Sequence, residues 1–267
     1  MEISAIILSK NEECNILKCI QSLLIHGIKD IHLLDSMSND NTVKIAKVFG
    51  AKIYYRKFDN YLNQLCFAID NCKFKHSLVI RIDADEELLK LNKLEIISLK
   101  NINNKKVKKI KVVAGSGIRK YSFLGKILNF MPVSNKNTVR IIDRLHYKTN
   151  GQFIDESFEA DIVLNDLFQI LDKCEKGFFH FLKKHINYGI KHGYELSHNR
   201  NNLLKNPNYK IYLKLPPFIR PLCLFFYYLI IKKGYKDGFN GIVYLLVQTL
   251  LMRLIADIYY YKYKRYK

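Results

Sequence analysis

Three short polar segments of this 267-residue chain carry side chains suited to binding a nucleotide, a sugar and a metal ion. The first is Asp83-Ala84-Asp85, which directly follows the apolar run SLVIRI. Two carboxylates one residue apart on an extended segment can bind Mg²⁺ or Mn²⁺, because these cations prefer oxygen ligands. A cation held there would neutralise a diphosphate leaving group. A solvated acidic loop is the alternative interpretation.

The other two segments are Ser9-Lys10-Asn11-Glu12 and the run DSMSNDNT that begins at Asp35. An acidic side chain at the end of a strand can accept a hydrogen bond from a ribose or a base, and a helix N-terminus favours a nearby phosphate. Turn formation and helix capping explain the Ser and Asn residues without any function. We expect the three segments to converge, because the carboxyl ends of neighbouring parallel strands share one edge of a sheet.

The elements that would position these segments alternate between short β-branched runs and amphipathic stretches. The strands are predicted at 3–8, 31–34, 52–55 and 77–82, and the helices at 12–25, 41–49 and 62–72. This alternation is typical of βαβ units around a parallel sheet and predicts an α/β fold.

The character of the sequence changes near residue 101, where the polar stretch NINNKKVKK begins. Shorter strands are predicted at 110–114, 121–130, 138–144 and 152–154, with GFFHF also read as strand-like. This α+β region is expected to form a cleft for a second substrate, the acceptor. The chain is therefore divided into a catalytic domain over 1–205, with a nucleotide-binding part over about 1–100 and an acceptor part over about 101–205, and a helical tail over 206–267.

The tail combines apolar helices with positive charge. From residue 207 onward it has eleven Lys or Arg and two Asp, and its apolar runs cover 222–231 and 239–256. The first run is shorter than the roughly 20 residues that cross a bilayer. The second carries its polar residues on one narrow stripe, namely Asn240, Gln248, Arg253 and Asp257. Such helices favour attachment to an anionic membrane surface, and packing against the protein itself or a dimer partner is the alternative.

The composition narrows the function classes. The net charge of +20 favours an anionic partner, but the charge is spread along the chain and no nucleic-acid-binding motif accompanies it, so nucleic acid is not an expected partner. The six cysteines have no CxxC spacing, which predicts reduced thiols in a cytoplasmic protein. No basic segment precedes the first apolar run, so we predict a cytoplasmic protein on the inner face of the cytoplasmic membrane.

Several runs of the sequence resemble family 2 glycosyltransferases, particularly bacterial lipopolysaccharide-core glucosyltransferases. The similarity is strongest in AIILSKNEECNILKCIQSL, DSMSNDNTVKIAKVFGAKI, NQLCFAIDNC and VIRIDADEEL, and continues loosely through TVRIIDR, FIDESFE, GFFHF and KKGYKDGFNGIVYLL. It implies a GT-A fold, a nucleotide-diphosphate sugar donor such as a UDP-sugar, a divalent cation and inversion at the anomeric carbon. The implied acceptor is a glycan or a lipid-linked sugar in cell-envelope lipopolysaccharide or lipooligosaccharide synthesis.

The resemblance also implies roles for individual residues. It places Asn11 and Glu12 by the nucleotide, Asp35 at the uridine or ribose, and Asp83 and Asp85 at the sugar phosphate and the metal.

Two further positions depart from the family pattern. Gln64 stays a cofactor-binding candidate, although the family usually follows this glutamine with a basic residue and Leu65 stands here. The segment that would supply the general base usually reads His-Glu and here reads Asp155-Glu156, so Glu156 is the preferred base and Asp155 the second candidate.

His180 is similar to a histidine that could meet the metal or the diphosphate, and a buried core histidine is the alternative. Arg140 and Arg144 are candidate phosphate contacts.

Competing functions remain open at this point. A catalytically inactive membrane adaptor would keep the fold without the activity. A nucleotidyltransferase would ordinarily need a glycine-rich phosphate loop after the first strand, and SKNEECN has no glycine.

Overall fold

The structure is a computed structural model that describes residues 2–104, 112–149, 158–174, 176–198 and 207–265. The chain divides into two compact units. The first unit comprises Met1–Tyr121 and Asn135–Glu175, and the second comprises Ser122–Ser134 and Lys176–Lys267. This division differs from the predicted one, because the chain from residue 176 groups with the tail.

The first unit alternates strands and helices through its first half. Its elements are β1 (Ser4–Ser9), α1 (Ile16–Ile25), β2 (Asp30–Asp35), α2 (Thr42–Val48), β3 (Lys52–Tyr55), α3 (Tyr61–Asn71), β4 (Leu78–Asp83), β5 (Glu86–Leu91) and α4 (Lys93–Asn104). The later strands are β6 (Val113–Phe123), β7 (Lys126–Leu128), β8 (Lys136–Asp143), β9 (Lys148–Thr149), β10 (Phe158–Glu159), β11 (Ile162–Leu164) and β12 (Phe168–Cys174). Of these, β7 and the last two residues of β6 belong to the second unit.

The main sheet has the strand order β3-β2-β1-β4-β8-β6-β12-β5. The first four strands are parallel, whereas β8 runs antiparallel to β4 and β6 runs antiparallel to β8. The register pairs Ser9 with Asp35 and Leu8 with Asp83, so the ends of β1, β2 and β4 lie at one edge. The predicted α/β fold with a Rossmann-like sheet is confirmed.

Both faces of the parallel sheet are covered by helices. Ala5 and Ile7 of β1, with Ile3 directly before it, belong to one buried cluster, whereas Ile6 belongs to another. Helices α1 and α2 contribute to the first cluster, and α3 contributes to the second. Burial on both faces explains why β1 reads as a continuous apolar run without polar alternation.

Two predicted strands differ in the structure. The strand expected over 121–130 is interrupted, because Leu124 and Gly125 adopt positive φ angles of 49° and 77° and make a turn between β6 and β7. The strand-like run GFFHF instead begins a helix, α5 (Gly177–His198), since a run of five residues is too short to distinguish a helical period from a strand period. The strand predicted at 152–154 lies outside the described residues.

The second unit is helical apart from the β6–β7 region. After α5 come Pro207–Lys214, the apolar helix Ile219–Ile231 and the long helix Gly234–Arg265, which includes a π-helical turn at Leu246–Leu251. A Cβ at Gly189 would lie 2.7 Å from Met252 O, and one at Gly193 would lie 2.6 Å from Tyr259 Cβ. These two glycines therefore let α5 approach the long helix closely.

The predicted polar stripe of the long helix faces the interior of its own unit. Asp257 is buried and accepts from Nε of the buried Arg220 at 2.9 Å. Arg253 Nη1 lies 2.7 Å from His192 Nε2 on α5. Asn240 Nδ2 donates to the backbone oxygen of Phe123 at 3.2 Å. The stripe therefore holds the helices together within this unit.

Within the part of the chain that the structure describes, one helix is long and apolar enough to cross a membrane. It is the long helix, Gly234–Arg265, and 44% of its most apolar stretch is buried inside the protein.

Candidate functional site

The loops that follow β1 and β2 are joined by reciprocal hydrogen bonds. Asn11 N donates to Ser38 Oγ at 2.8 Å, and Asn11 Oδ1 accepts from Asn39 N at 2.9 Å. Asn11 has a φ of 53° in the left-handed region, which asparagine tolerates better than most residues. The side chain predicted to lie by the nucleotide thus fixes one loop against the other.

Glu12 extends this junction to the start of α2. Its backbone N–H donates to Thr42 Oγ1 at 2.8 Å, and its Oε2 accepts from Asn15 Nδ2 at 2.7 Å. Beside it, Glu13 N donates to Asp40 Oδ2 at 3.1 Å. Side-chain oxygens of the segment after β2 therefore accept hydrogen bonds from backbone N–H groups of the loop after β1.

Asp35 is the fully buried centre of the two loops. Its Oδ1 accepts from Ser9 Oγ at 2.9 Å and from Ser38 Oγ at 2.6 Å, and its Oδ2 accepts from Ser38 N at 2.7 Å. In the structure, Asp35 therefore holds the loops after β1 and β2 together. The predicted contact with a uridine or ribose stays a prediction.

Gln64 is buried and joins α3 to the segments that follow β2 and β3. Its Nε2 donates to Ser36 Oγ at 3.0 Å and to Arg56 O at 3.1 Å, while its Oε1 accepts from Arg56 Nη1 at 3.1 Å. Leu65, in the place of the family's basic residue, is buried in the core. Arg56 is a basic side chain next to Gln64, and its position directly after β3 is the sequence signal for it.

Two arginines hold the carboxylate of Asp83 at the end of β4. Arg81 Nη2 donates to Asp83 Oδ1 at 3.1 Å, and Arg140 Nη1 donates to Asp83 Oδ2 at 3.3 Å. The register of β4 and β8 pairs Ile80 with Ile141, which places Arg81 opposite Arg140. Burial alone would raise the pKa of Asp83, but the two guanidinium groups outweigh it and hold that pKa well below its usual range.

Glu86 completes this cluster at the start of β5. Its Oε2 accepts from Asp83 N at 2.9 Å, and its Oε1 accepts from Arg140 Nη2 at 2.9 Å. Burial raises the pKa of Glu86 to about 7, and the neighbouring charges of Asp83 and Asp85 act in the same direction against Arg140. Arg81 and Glu86 were missed from the sequence. A charge inside the apolar run LVIRI was the available signal for Arg81.

Asp85 is half-buried, and its backbone oxygen accepts from Lys173 N at 3.1 Å. Across the described residues, no group of three or more His, Cys, Asp or Glu could hold a metal. A cation at Asp83 and Asp85 would therefore share its ligands with water and a bound diphosphate, as Mg²⁺ often does. Two adjacent carboxylates fit a divalent cation held in this way.

The remaining candidates lie elsewhere. Arg144 Nε donates to His76 O at 3.3 Å, at the end of the β4–β8 pairing opposite to Asp83. His180 is exposed in the first turn of α5 and belongs to the second unit, so its role at a metal stays a prediction. Asp155 and Glu156, the predicted base candidates, lie outside the described residues.

Comparison with known proteins supports the family resemblance. Residues 4–105 match the model of glycosyl transferase family 2. An uncharacterized glycosyltransferase of Rickettsia typhi is 41% identical over 88 residues, which cover 33% of this chain and 29% of the relative. One from Rickettsia felis is 38% identical over 89 residues, covering 33% and 30%. The chain thus spans less than a third of these relatives.

Solved structures give a weaker likeness. Glucosyl-3-phosphoglycerate synthase of Mycobacterium tuberculosis in complex with phosphoglyceric acid aligns with a TM-score of 0.35 and 18% identity, covering 54% of this chain and 57% of that one. Mannosyl-3-phosphoglycerate synthase of Rubrobacter xylanophilus aligns with a TM-score of 0.33 and 18% identity, covering 44% and 40%. The predicted resemblance to family 2 glycosyltransferases is confirmed by the family match over residues 4–105.

Proposed function

We propose that this chain, whose residues 4–105 match the model of glycosyl transferase family 2, moves a sugar from a nucleotide-diphosphate sugar to a saccharide or lipid-linked acceptor. One observation carries the proposal. The Asp83-Ala84-Asp85 segment ends β4 at the same sheet edge as the interlocked loops after β1 and β2. Open α/β sheets bind ligands at this edge.

Different residues at this sheet edge would bind different parts of the sugar donor. The loops fixed by Asn11 and Asp35 would receive the nucleoside. A divalent cation at Asp83 and Asp85 would supply charge neutralisation to the departing diphosphate. Arg81 and Arg140 would keep the Asp83 carboxylate ionised and oriented.

The transfer itself is proposed as one displacement with inversion. The acceptor hydroxyl oxygen forms a bond to the anomeric carbon as the bond from that carbon to the diphosphate oxygen breaks. A carboxylate, for which Glu156 is the prediction, takes the hydroxyl proton, and the diphosphate leaves with the electron pair.

The setting of the reaction is part of the proposal. The sequence resemblance favours cell-envelope glycan synthesis with a lipopolysaccharide or lipooligosaccharide acceptor. The basic, apolar tail favours a location at the inner face of the cytoplasmic membrane, where it would meet a lipid-linked acceptor.

A thermal-shift screen with UDP, GDP, CDP and ADP and their common sugars, with and without Mn²⁺, tests the donor class. We expect one nucleotide to raise the melting temperature, and Mn²⁺ to increase the shift. Asp85→Asn should remove the Mn²⁺-dependent part, whereas Asp70→Asn, on the exposed side of α3, should keep it. If the wild-type protein responds to none of these ligands, an inactive adaptor becomes the better explanation.

A transfer assay with the responding donor then tests the chemistry. Asp85→Ala is expected to lose transfer by about a hundredfold to a thousandfold while circular dichroism shows an intact fold. Full activity in this variant would contradict the proposed site.

A further inference from the structure

We propose that the outward face of the apolar helix Ile219–Ile231 docks on an anionic lipid bilayer. The proposal adds a specific surface to the membrane location, and it holds whether or not the chain transfers a sugar. Ile219, Phe226 and Ile230 are 51%, 52% and 58% exposed, and Leu222 and Cys223 are exposed between them. These positions follow i, i+3, i+4, i+7 and i+11, which places them on one helical face.

The polarity of this helix is reversed relative to an ordinary surface helix. Arg220 is the charged residue within it, and it is buried, where it donates to Asp257. The outward face carries large apolar side chains instead. A helix that faces water ordinarily buries its apolar side chains and exposes its charged ones. A contiguous exposed apolar face of this kind therefore marks an interaction surface.

The middle of the long helix shows the same reversal. There, Arg253 and Asp257 make contacts inside the second unit, whereas the exposed Lys236, Lys262, Lys264 and Arg265 lie near its two ends. Its exposed positions include Phe239, which is 77% exposed, and Ile258. The apolar helix, and the long helix between its charged ends, therefore keep their polar contacts inside the unit and leave apolar side chains outside.

The charge of the surrounding surface identifies the occupant. From residue 207 to the end of the sequence the acidic residues are Asp237 and Asp257, and both are buried. Asp237 accepts from the backbone N–H groups of Asn129 and Phe130 at 2.9–3.0 Å. The exposed charges of this segment that the structure describes are therefore all positive.

Three exposed lysines directly follow the apolar face, at Lys232, Lys233 and Lys236. Lys232 Nζ lies 5.7 Å from the centre of the Tyr227 ring, so an aromatic ring and a cation lie together at this end of the helix. Lysine and tyrosine side chains of this kind belong at the headgroup level of a bilayer, with the apolar residues below them. A second copy of the same chain would instead bring positive charge against positive charge.

Vesicle binding by the full-length protein tests the proposal without donor or acceptor, so a failed sugar-transfer assay does not affect it. We expect the protein to float with vesicles of phosphatidylglycerol and phosphatidylcholine, and to bind pure phosphatidylcholine at least about tenfold more weakly, since each basic residue near an anionic surface adds about fivefold.

Variants locate the surface. Phe226→Ser with Ile230→Ser should reduce binding at least about tenfold, because both side chains would be buried in lipid. Ile25→Ser with Val48→Ser changes exposed apolar residues of the first unit and should bind like the wild type. Lys232→Gln, Lys233→Gln and Lys236→Gln together should weaken binding to anionic vesicles, whereas Lys44→Gln, Lys47→Gln and Lys90→Gln should have a smaller effect.

Two exposed cysteines provide a direct reporter. A polarity-sensitive dye on Cys223 should shift its emission to the blue when anionic vesicles are added, and the same dye on Cys14, in the first unit, should not. Equal responses from both dyes, or vesicle binding that survives Phe226→Ser with Ile230→Ser, would overturn the proposal. A dimer in solution that this double variant dissociates would also overturn it, because a second copy would then cover the face.

Discussion

The guanidinium of Arg140 bridges two carboxylates of the β4–β5 turn, with Nη1 at 3.3 Å from Asp83 Oδ2 and Nη2 at 2.9 Å from Glu86 Oε1. Arg140 is a residue of β8, an antiparallel strand added beside the parallel ones. The geometry of the Asp83-Ala84-Asp85 segment is thus fixed from the second half of the first unit.

We therefore expect Arg140→Met to weaken donor binding. Without this guanidinium, Asp83 keeps Arg81 but Glu86 loses its cationic partner, and removing one member of a buried ion pair typically costs about 3 to 5 kcal/mol. Calorimetric titration with the responding nucleotide and Mn²⁺ should show a Kd at least about tenfold higher. Arg140→Lys should recover part of the affinity.

Arg144→Met supplies the control for Arg140, since Arg144 Nε donates to His76 O at 3.3 Å, at the end of the β4–β8 pairing opposite to Asp83. An Arg140→Met protein that is folded and binds the nucleotide like Arg144→Met would refute a positioning role.

Ser38 couples the two nucleotide-side loops, because its hydroxyl donates to Asp35 and accepts from Asn11 N. Ser38→Ala should cost about 1 kcal/mol of stability for the lost hydrogen bonds, and nucleotide affinity should fall several-fold as the loops separate. Chemical denaturation and nucleotide titration measure the two effects. Ser98→Ala, on the exposed side of α4, should change neither, and an unaltered Ser38→Ala affinity would contradict the coupling.

Asp30 is expected to make stability depend on acid pH. Burial alone would raise its pKa, but hydrogen bonds from Lys52, Ser4, Lys75 N and His32 hold that pKa well below its usual range. The folded state therefore holds its proton more weakly than the unfolded chain. Stability from this group is complete above the unfolded pKa of about 3.9 and is lost as the pH falls towards the folded pKa.

Asp30→Asn should consequently lower the free energy of unfolding by about 2 kcal/mol near neutral pH and reduce its fall in acid. Urea denaturation at several pH values measures both quantities. Parallel pH curves for the wild type and Asp30→Asn would show that another carboxylate is responsible.

Gly193 is expected to be needed for the packing of α5. A Cβ there would lie 2.6 Å from Tyr259 Cβ and 2.8 Å from Ala256 O. Gly193→Ala should destabilise the protein by about 1 to 2 kcal/mol, since overpacking outweighs the gain of about 1 kcal/mol in helix propensity. Lys191→Ala, at an exposed position of the same helix, should be close to neutral. Thermal unfolding distinguishes these outcomes, and an equally stable Gly193→Ala protein would rule out close packing at this position.

The sequence by itself determined the parallel half of the first unit and the edge where its polar loops meet. Ile3, Ile7 and Ile80 are buried because both faces of the sheet are covered. Strands buried on both faces appear in the sequence as continuous apolar runs, which is why the sequence predicts them. The polar segments after β1, β2 and β4 then share one edge as a consequence of parallel pairing. The family resemblance adds to this and is confirmed over residues 4–105.

Only the tertiary structure decided which partners the charged side chains take. Asp83 and Arg140 are 57 residues apart in the sequence, and Arg220 and Asp257 are 37 apart. Local sequence spacing therefore could not predict either pair. It also decided that α5 belongs with the helical unit and that the polar stripe of the long helix faces inward. Periodicity identifies the two faces of a helix, whereas which face is buried depends on what packs against it.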